Sequence, residues 1–220
     1  MSLQAELDAF RVDYMKAAPP EVREAMEEAE MQLVTSGLAQ RALKTGDRAP
    51  DFLLPDANGN QVQLRSLLAR GPAVISFYRG GWCPYCNLEL RALQKVLPEI
   101  HRLGAELVAI SPELPDQSLS TAEKNELTFR VLSDVGSATA KSFGIAFDLA
   151  YELRPVYERA GHPLPERNGD DSWVLPIPAT YVIDWNGRIV LAYVDVDYRK
   201  RLEPVEILAA LEALPTSLPS

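Results

Sequence analysis

The first 43 residues carry apolar side chains at intervals of three or four, the spacing of one face of a helix. The first such series is interrupted by Ala-Pro-Pro at 18–20, and a second runs from about residue 21 to Gly37. The pattern therefore predicts two amphipathic helices, which either pack on the surface of a domain or form a dimerisation arm. The first series consists of Leu3, Leu7, Phe10 and Tyr14, and the second of Val22, Ala25, Met26, Ala29 and Leu33.

After these two series, short apolar segments alternate with helical patterns. The run Ala-Val-Ile-Ser-Phe-Tyr at 73–78 is typical of a strand that is buried on both faces of a sheet. Two further strands flank Trp-Asn-Gly at 185–187, which predicts a hairpin, and 203–214 predicts a closing helix. The order β-α-β-α-β-β-α is that of the thioredoxin fold. We therefore predict an α/β domain with a mixed central sheet flanked by helices at 44–220, preceded by a helical extension at 1–43.

Both cysteines lie in one segment, Phe-Tyr-Arg-Gly-Gly-Trp-Cys-Pro-Tyr-Cys at 77–86, between a predicted strand and a predicted helix. Pro84 suits the first helical position, where the N–H that proline lacks has no partner. Cys83 is then an N-cap or first-turn residue, and the partial positive charge of the helix N-terminus lowers the pKa of a thiol placed there. Cys86 is close enough to form a disulfide with Cys83, and Trp82 would shield one side of the pair. We therefore predict a redox-active pair.

The cysteines have two alternative interpretations, as inert buried thiols or as half of a zinc site. Zinc needs two further ligands, and His101 and His162 lack a paired spacing, so a metal site is disfavoured. The net charge of −9 argues against binding to nucleic acid, and the basic run at 199–201 is too short to change this. We find neither a signal-peptide pattern nor an apolar stretch of membrane-spanning length. The expectation is a cytoplasmic protein with no cofactor, nucleic-acid partner or membrane span.

Three blocks of sequence, at 46–68, 73–93 and 178–194, follow one another in an order that resembles the alkyl hydroperoxide reductase/thiol-specific antioxidant superfamily. This is the peroxiredoxin branch of the thioredoxin fold, and the Cys-x-x-Cys pair is similar to that of its peroxiredoxin-like subgroup. The resemblance covers about 44–213 and leaves the helical extension outside. It implies an antioxidant thiol oxidoreductase that reduces hydroperoxides.

The resemblance also assigns roles to residues, some of which depart from the family pattern. Peroxiredoxins carry a Pro-x-x-x-Thr-x-x-Cys motif, often with a glutamate three residues later. The resemblance places the peroxidatic cysteine on Cys86 and the glutamate on Glu89. The proline and threonine positions hold Arg79 and Cys83, and the distal arginine of the family falls on Pro178. The residues that orient and polarise the peroxide in that family are therefore replaced here.

The same positions also resemble thioredoxins and glutaredoxins, through Trp-Cys-Pro-Tyr-Cys at 82–86. Pro178 then falls where thioredoxins place a cis-proline that faces the disulfide, so a cis peptide bond is expected there. Arg79 is either a solvated cation at a strand end or a replacement for the missing arginine. Trp82 is either core packing or a flat docking surface. Glu89 either opposes thiolate formation or carries protons.

Three functions stay open from the sequence. In a peroxiredoxin-like peroxidase, Cys86 attacks the hydroperoxide and Cys83 resolves the sulfenic acid as a disulfide. In a thioredoxin-type disulfide reductase, Cys83 attacks first and Cys86 resolves. In a non-enzymatic redox sensor, oxidation of the pair changes a partner surface. Either enzyme needs a thiol donor such as thioredoxin or glutathione, and a homodimer is one use of the extension. The segment 149–176 is predicted to be either plain surface or a lid.

Overall fold

The computed structural model describes residues 2–215 of the chain. Within that range, none of the helices is long and apolar enough to cross a membrane. A 3₁₀ turn at Tyr151–Leu153 leads directly into the eighth helix. The α-helices are α1 (Leu3–Ala17), α2 (Pro20–Thr35), α3 (Leu38–Arg41), α4 (Leu64–Leu68), α5 (Pro84–Arg102), α6 (Pro115–Lys124), α7 (Ala138–Ser142), α8 (Arg154–Arg159), α9 (Leu164–Asn168) and α10 (Pro204–Glu212).

Five strands form a mixed central sheet in the order β5-β4-β3-β8-β9. The pairs β3/β4 and β4/β5 are parallel, whereas β8 runs antiparallel to both β3 and β9. Two short antiparallel pairs, β1/β2 and β6/β7, lie outside this sheet. The predicted α/β fold with a mixed sheet flanked by helices is therefore confirmed. The strands are β1 (Leu53–Pro55), β2 (Gln61–Gln63), β3 (Ala73–Phe77), β4 (Glu106–Ser111), β5 (Arg130–Ser133), β6 (Ala146–Asp148), β7 (Val174–Pro176), β8 (Ala179–Ile183) and β9 (Ile189–Val194).

Strand β3 lies at the centre of the sheet because apolar layers cover both of its faces. Ile75 and Phe77 point into one apolar cluster, and Val74 and Tyr78 point into another on the opposite face. Every residue of β3 is buried. Two-sided burial is the physical reason for its continuous apolar sequence. The strand ends directly before the glycine-rich segment that leads to the cysteines.

Helix α5 follows that segment and packs on the second of these faces. Its apolar residues recur at helical spacing and are buried against the sheet, α1 and α10. This stripe holds the helix in one orientation, so the cysteines at its N-terminus have fixed positions above the end of β3. The buried leucine and isoleucine residues of the stripe are Leu90, Leu93, Leu97 and Ile100.

The N-terminal helices pack against the rest of the chain. Leu3 and Leu7 of α1 are buried in the same apolar cluster as Cys86. The Glu203 carboxylate accepts hydrogen bonds from the first backbone N–H groups of α1, at 3.1 and 2.8 Å. Carboxylates are favourable there because the helix N-terminus is partly positive. The boundary at residue 43 stays a prediction, because extension and domain share an apolar core.

The predicted cis peptide bond at Pro178 is wrong, since every described peptide bond is trans. Pro178 lies in the short connection between β7 and β8, where no turn is formed. The preceding Ile177 donates its N–H to the Ile145 carbonyl at 2.8 Å. The trans form of an X–Pro bond is intrinsically favoured by about 0.5–1 kcal/mol. Without a tight turn at this connection, nothing outweighs that preference.

Candidate active site

The two cysteines occupy the first turn of α5. Cys83 is the N-cap residue with extended backbone angles, Pro84 is the first helical residue, and Cys86 follows within the same turn. This is the arrangement that Pro84 predicts from the sequence. Both thiols are free, and both are buried: Cys83 is 2% exposed and Cys86 is 0% exposed.

The pKa values of the two thiols are shifted in opposite directions. Burial alone would raise the pKa of Cys83, but the hydrogen bond from the Cys86 thiol and the nearby guanidinium groups of Arg79 and Arg201 lower it to about 6. Burial raises the pKa of Cys86, and the negative charge on Cys83 raises it further. A thiolate is the form that attacks peroxides and disulfides. These shifts favour a thiolate on Cys83 and a protonated thiol on Cys86.

Arg79 is a buried cation beside this pair. It follows β3, is 4% exposed, and donates a hydrogen bond from Nη2 to the Tyr157 hydroxyl. Its guanidinium carbon lies 4.9 Å from the ring centre of Trp82 and 4.2 Å from that of Tyr198. No carboxylate within residues 2–215 forms an ion pair with it. The earlier interpretation as a solvated cation is wrong, because the aromatic rings enclose the side chain.

Arg201 is a second buried cation, and it contacts Cys86. Its Nη2 lies 3.5 Å from the Cys86 sulfur, and its Nε lies 2.5 Å from a carboxylate oxygen of Glu89. Glu89 is 1% exposed, and burial raises its pKa to about 7 although the Arg201 guanidinium acts in the opposite direction. The sequence predicted Glu89 but missed Arg201, whose only signal was the short basic run at 199–201.

The extension reaches Arg201 through hydrogen bonds. The backbone N–H of Arg201 donates to the side-chain oxygen of Gln4 in α1 at 3.4 Å. Two residues earlier, Arg199 pairs with Glu30 of α2 and with Asp197, each at 2.5 Å. The loop that carries Arg201 is therefore held by both N-terminal helices.

The Gly80-Gly81 segment is held by contacts with Glu113 and Thr121. The backbone N–H of Gly81 donates to Glu113 at 2.7 Å, and Glu113 also pairs with Arg167 of α9 at 2.8 Å. A Cβ atom at Gly80 would lie 2.2 Å from the Trp82 ring, and one at Gly81 would lie 2.0 Å from Thr121. The two glycines therefore permit a close approach that larger residues would prevent.

Cys83 lines a cavity of about 170 Å³ with aromatic walls, which we call the thiol cavity. Phe10 and Tyr14 of α1 contribute to one side of it. On another side, Trp82 stacks on His162 at 5.2 Å between ring centres and meets Tyr157 edge-on at 5.3 Å. The segment 149–176, which supplies Tyr157 and His162, therefore covers the site. Of the two predicted alternatives for this segment, plain surface or a lid, this contact supports the lid.

Comparison with known proteins identifies the family. The model of the AhpC/TSA family matches residues 45–192, about two thirds of the chain. The chain belongs to the AhpC/TSA family. A putative peroxiredoxin of Mycobacterium tuberculosis is 33% identical over 114 residues, which cover 52% of this chain and 74% of that protein. Peroxiredoxin Bcp of Escherichia coli K12 is 33% identical over 103 residues, covering 47% and 65% respectively.

Solved structures of the same class agree with the fold. The crystal structure of peroxidoxin BcpB from Mycobacterium tuberculosis superposes with a TM-score of 0.62 at 26% identity, covering 79% of this chain and 99% of that one. A reduced 2-Cys peroxiredoxin from Plasmodium vivax gives 0.61 at 20% identity, covering 78% and 81% respectively. The predicted family and thioredoxin fold are confirmed, and this AhpC/TSA protein is a thiol-dependent oxidoreductase of the peroxiredoxin class.

The AhpC/TSA site brings together most of the residues that the sequence singled out. Cys83, Cys86, Arg79, Trp82 and Pro84 lie within one turn of α5 and the segment before it. Glu89 reaches this group through Arg201. Pro178 instead lines a neighbouring cavity, which it shares with Arg79. Trp82 is therefore a wall of the thiol cavity as well as part of the apolar packing.

In this AhpC/TSA protein, replacement of Arg167 by methionine is expected to destabilise the fold. The Glu113 carboxylate would stay buried without its cation, at a cost of about 3 kcal/mol in the free energy of unfolding, the lower end for a buried pair because Arg167 is partly exposed. Burial raises the pKa of Glu113, so the folded state favours its protonated form. The decrease in the free energy of unfolding should therefore be smaller at low pH, where Glu113 is neutral. Urea unfolding at pH 8 and pH 5 measures this. Arg159→Met, at an exposed position of α8, is the control. An equal loss at both pH values would contradict the role of Glu113.

Proposed function

We propose that the chain reduces hydroperoxides, with the Cys83 thiolate as the attacking group and Cys86 as the resolving group. One observation carries this order: Cys83 lines the thiol cavity and has a lowered pKa, whereas Cys86 is fully buried and has a raised pKa. The order is the reverse of the one that the family resemblance implies. Cys83 occupies the threonine position of the peroxiredoxin motif, so the reactive sulfur has moved by one helical turn.

The first step forms a bond between the Cys83 sulfur and the terminal oxygen of the hydroperoxide. The O–O bond breaks, Cys83 becomes a sulfenic acid, and the leaving oxygen takes up a proton to give an alcohol or water. Arg79 is the cation beside this reaction. A fixed positive charge beside the reacting atoms stabilises negative charge that develops on the leaving oxygen. Arg79 thereby takes over the role of the arginine that the family places at Pro178.

The second step joins the two sulfurs. The Cys86 sulfur attacks the sulfenic acid, the S–O bond breaks, and the hydroxyl group leaves as water with the proton of Cys86. Arg201 lies 3.5 Å from the Cys86 sulfur, so its charge stabilises the thiolate that develops there. Glu89 has a pKa of about 7 and pairs with Arg201, which allows it to exchange a proton near neutral pH. Through Arg201, which contacts both Glu89 and Cys86, Glu89 is the group that we propose to carry this proton.

Enclosure of the site favours a small substrate over a protein disulfide. Cys83 is 2% exposed, and side chains of α1 and of 149–176 cover it. A hydroperoxide fits the thiol cavity, whereas a folded protein with a disulfide requires these elements to move. Reduction of the Cys83–Cys86 disulfide requires a thiol donor, either glutathione or, once the same covering elements have moved, thioredoxin. Such donors are available in the cytoplasm, which is the compartment we propose.

The test is a competition between oxidants at neutral pH. Reduced protein mixed with one equivalent of hydrogen peroxide should form the Cys83–Cys86 disulfide with loss of two thiols, measured by mass spectrometry after alkylation. The rate constant should exceed that for reduction of insulin disulfides by roughly a hundred-fold or more, since only the small oxidant reaches the thiolate. Peroxide consumption no faster than that of free cysteine would contradict the peroxidase function. Faster reduction of insulin would support a disulfide reductase instead.

A further inference from the structure

A second cavity, which we call the side cavity, has a volume of about 370 Å³. It shares four wall residues with the thiol cavity: Met26, Arg79, Tyr157 and Tyr198. The guanidinium of Arg79 and the hydroxyl of Tyr157 are hydrogen-bonded to each other in this shared wall. A molecule with its reacting group near Cys83 therefore has the side cavity on the other side of Arg79.

The side cavity has largely apolar walls. Ala29 and Leu33 of α2 form one wall, and Phe147 and Leu153 form another. Its volume lies within the range of about 300–1,000 Å³ that is usual for small-molecule sites. Apolar groups gain free energy when such walls remove them from water. Hydrogen peroxide and polar thiols have no apolar body that would use this surface.

Helix α2 belongs to the part of the chain that lies outside the AhpC/TSA match at 45–192. It nevertheless packs on the 3₁₀ turn at Tyr151–Leu153, and Glu30 fixes it to Arg199. None of its residues is fully buried, although Ala29 and Leu33 line the side cavity. The extension therefore adds a wall beside the active site that the matched region does not supply.

The chemistry of the first step determines which part of the hydroperoxide faces the side cavity. When the Cys83 sulfur takes the terminal oxygen, the other peroxide oxygen carries the organic group and leaves as an alkoxide. That oxygen is stabilised beside a cation, and Arg79 is the cation that both cavities share. The organic group attached to the oxygen then extends past Arg79. The shared wall residues place the side cavity next to such a group, and the alkoxide takes a proton from water to become the alcohol.

We propose that the side cavity holds the apolar body of a bulky organic hydroperoxide, and that α2 sets the size of that body through Ala29 and Leu33. The proposal rests on the peroxidase function proposed above. It assigns to the N-terminal extension a role in substrate selection, in addition to its packing on the domain.

The test compares a bulky hydroperoxide with hydrogen peroxide in variants of α2. Ala29→Phe fills the side cavity, so kcat/KM for cumene hydroperoxide should fall by about ten-fold or more. The kcat/KM for hydrogen peroxide should stay within about two-fold of its value in the original protein. Glu28→Phe adds the same ring at an exposed position of the same helix and should change neither value. Leu33→Ala enlarges the cavity and should shift the ratio of the two values towards cumene hydroperoxide.

Equal losses for both peroxides in Ala29→Phe, or an unchanged ratio in both cavity variants, would overturn the proposal. Failure of the peroxidase function itself has a different signature, since the original protein would then react slowly with both peroxides. In that case, calorimetric titration with the unreactive alcohol 2-phenyl-2-propanol still tests the cavity. Binding that Ala29→Phe removes and Glu28→Phe retains would support the side cavity as a site. Equal binding to all three proteins, or none to the original protein, would overturn it.

Discussion

Replacement of Cys83 by serine is expected to lower the rate constant for peroxide consumption by roughly three orders of magnitude or more, because the attacking thiolate is lost. Cys86 would then be the remaining thiol, fully buried and with a raised pKa. Stopped-flow measurement with hydrogen peroxide at neutral pH tests this.

Cys86→Ser is the matched variant. It retains the Cys83 thiolate, so it should consume one equivalent of peroxide and stop with a sulfenic acid on residue 83. Dimedone labelling followed by peptide mass spectrometry locates that group. Loss of the Cys86 thiol also removes a hydrogen bond to the Cys83 sulfur, so a modest decrease in rate is expected. Fast consumption by Cys83→Ser with the label on Cys86 would reverse the proposed order.

Replacement of Arg79 by methionine is expected to raise the pKa of Cys83 from about 6 by roughly one unit or more. The thiolate fraction at pH 7 would fall, and the leaving oxygen would lose its stabilising charge. The rate constant at pH 7 should therefore fall by about a hundred-fold. The fold should survive, because methionine fills the aromatic enclosure and the replacement leaves no carboxylate without its cation.

The pH profile separates the two effects of Arg79. In the original protein, single-turnover rates should rise by about ten-fold between pH 5 and pH 7 and then level off, following a thiolate with a pKa of about 6. In Arg79→Met the rise should shift to higher pH, and Arg79→Lys should restore most of the original profile. A loss of rate with an unshifted midpoint would show that Arg79 acts on the leaving oxygen alone. An unchanged rate and midpoint would contradict both roles.

Features that depend on local sequence were predictable. The buried run at 73–78 is observed as β3, because a central strand needs apolar side chains on both faces. The hairpin around 185–187 is observed as β8 and β9. Pro84 correctly places Cys83 at the N-cap of α5, since proline and helix capping are short-range effects.

Features that depend on distant contacts were not predictable. Arg201 is 115 positions from Cys86 in sequence, and its place beside the thiol depends on the loop after β9. The cover over Cys83 comes from α1 and from 149–176, whose own patterns do not show what they pack against. The peptide bond at Pro178 was predicted as cis from resemblance, but it is trans in the short connection between β7 and β8, where no turn is formed.

The unequal acidity of the two thiols has an electrochemical consequence. Above about pH 6 the reduced pair carries one proton on Cys86, since Cys83 is ionised. Formation of the disulfide then releases two electrons and a single proton, so the midpoint potential should fall by about 30 mV for each pH unit. Below pH 6 both thiols are protonated, and the slope should double to about 59 mV. Near neutrality, the driving force for reducing this disulfide is thus only weakly sensitive to acidification.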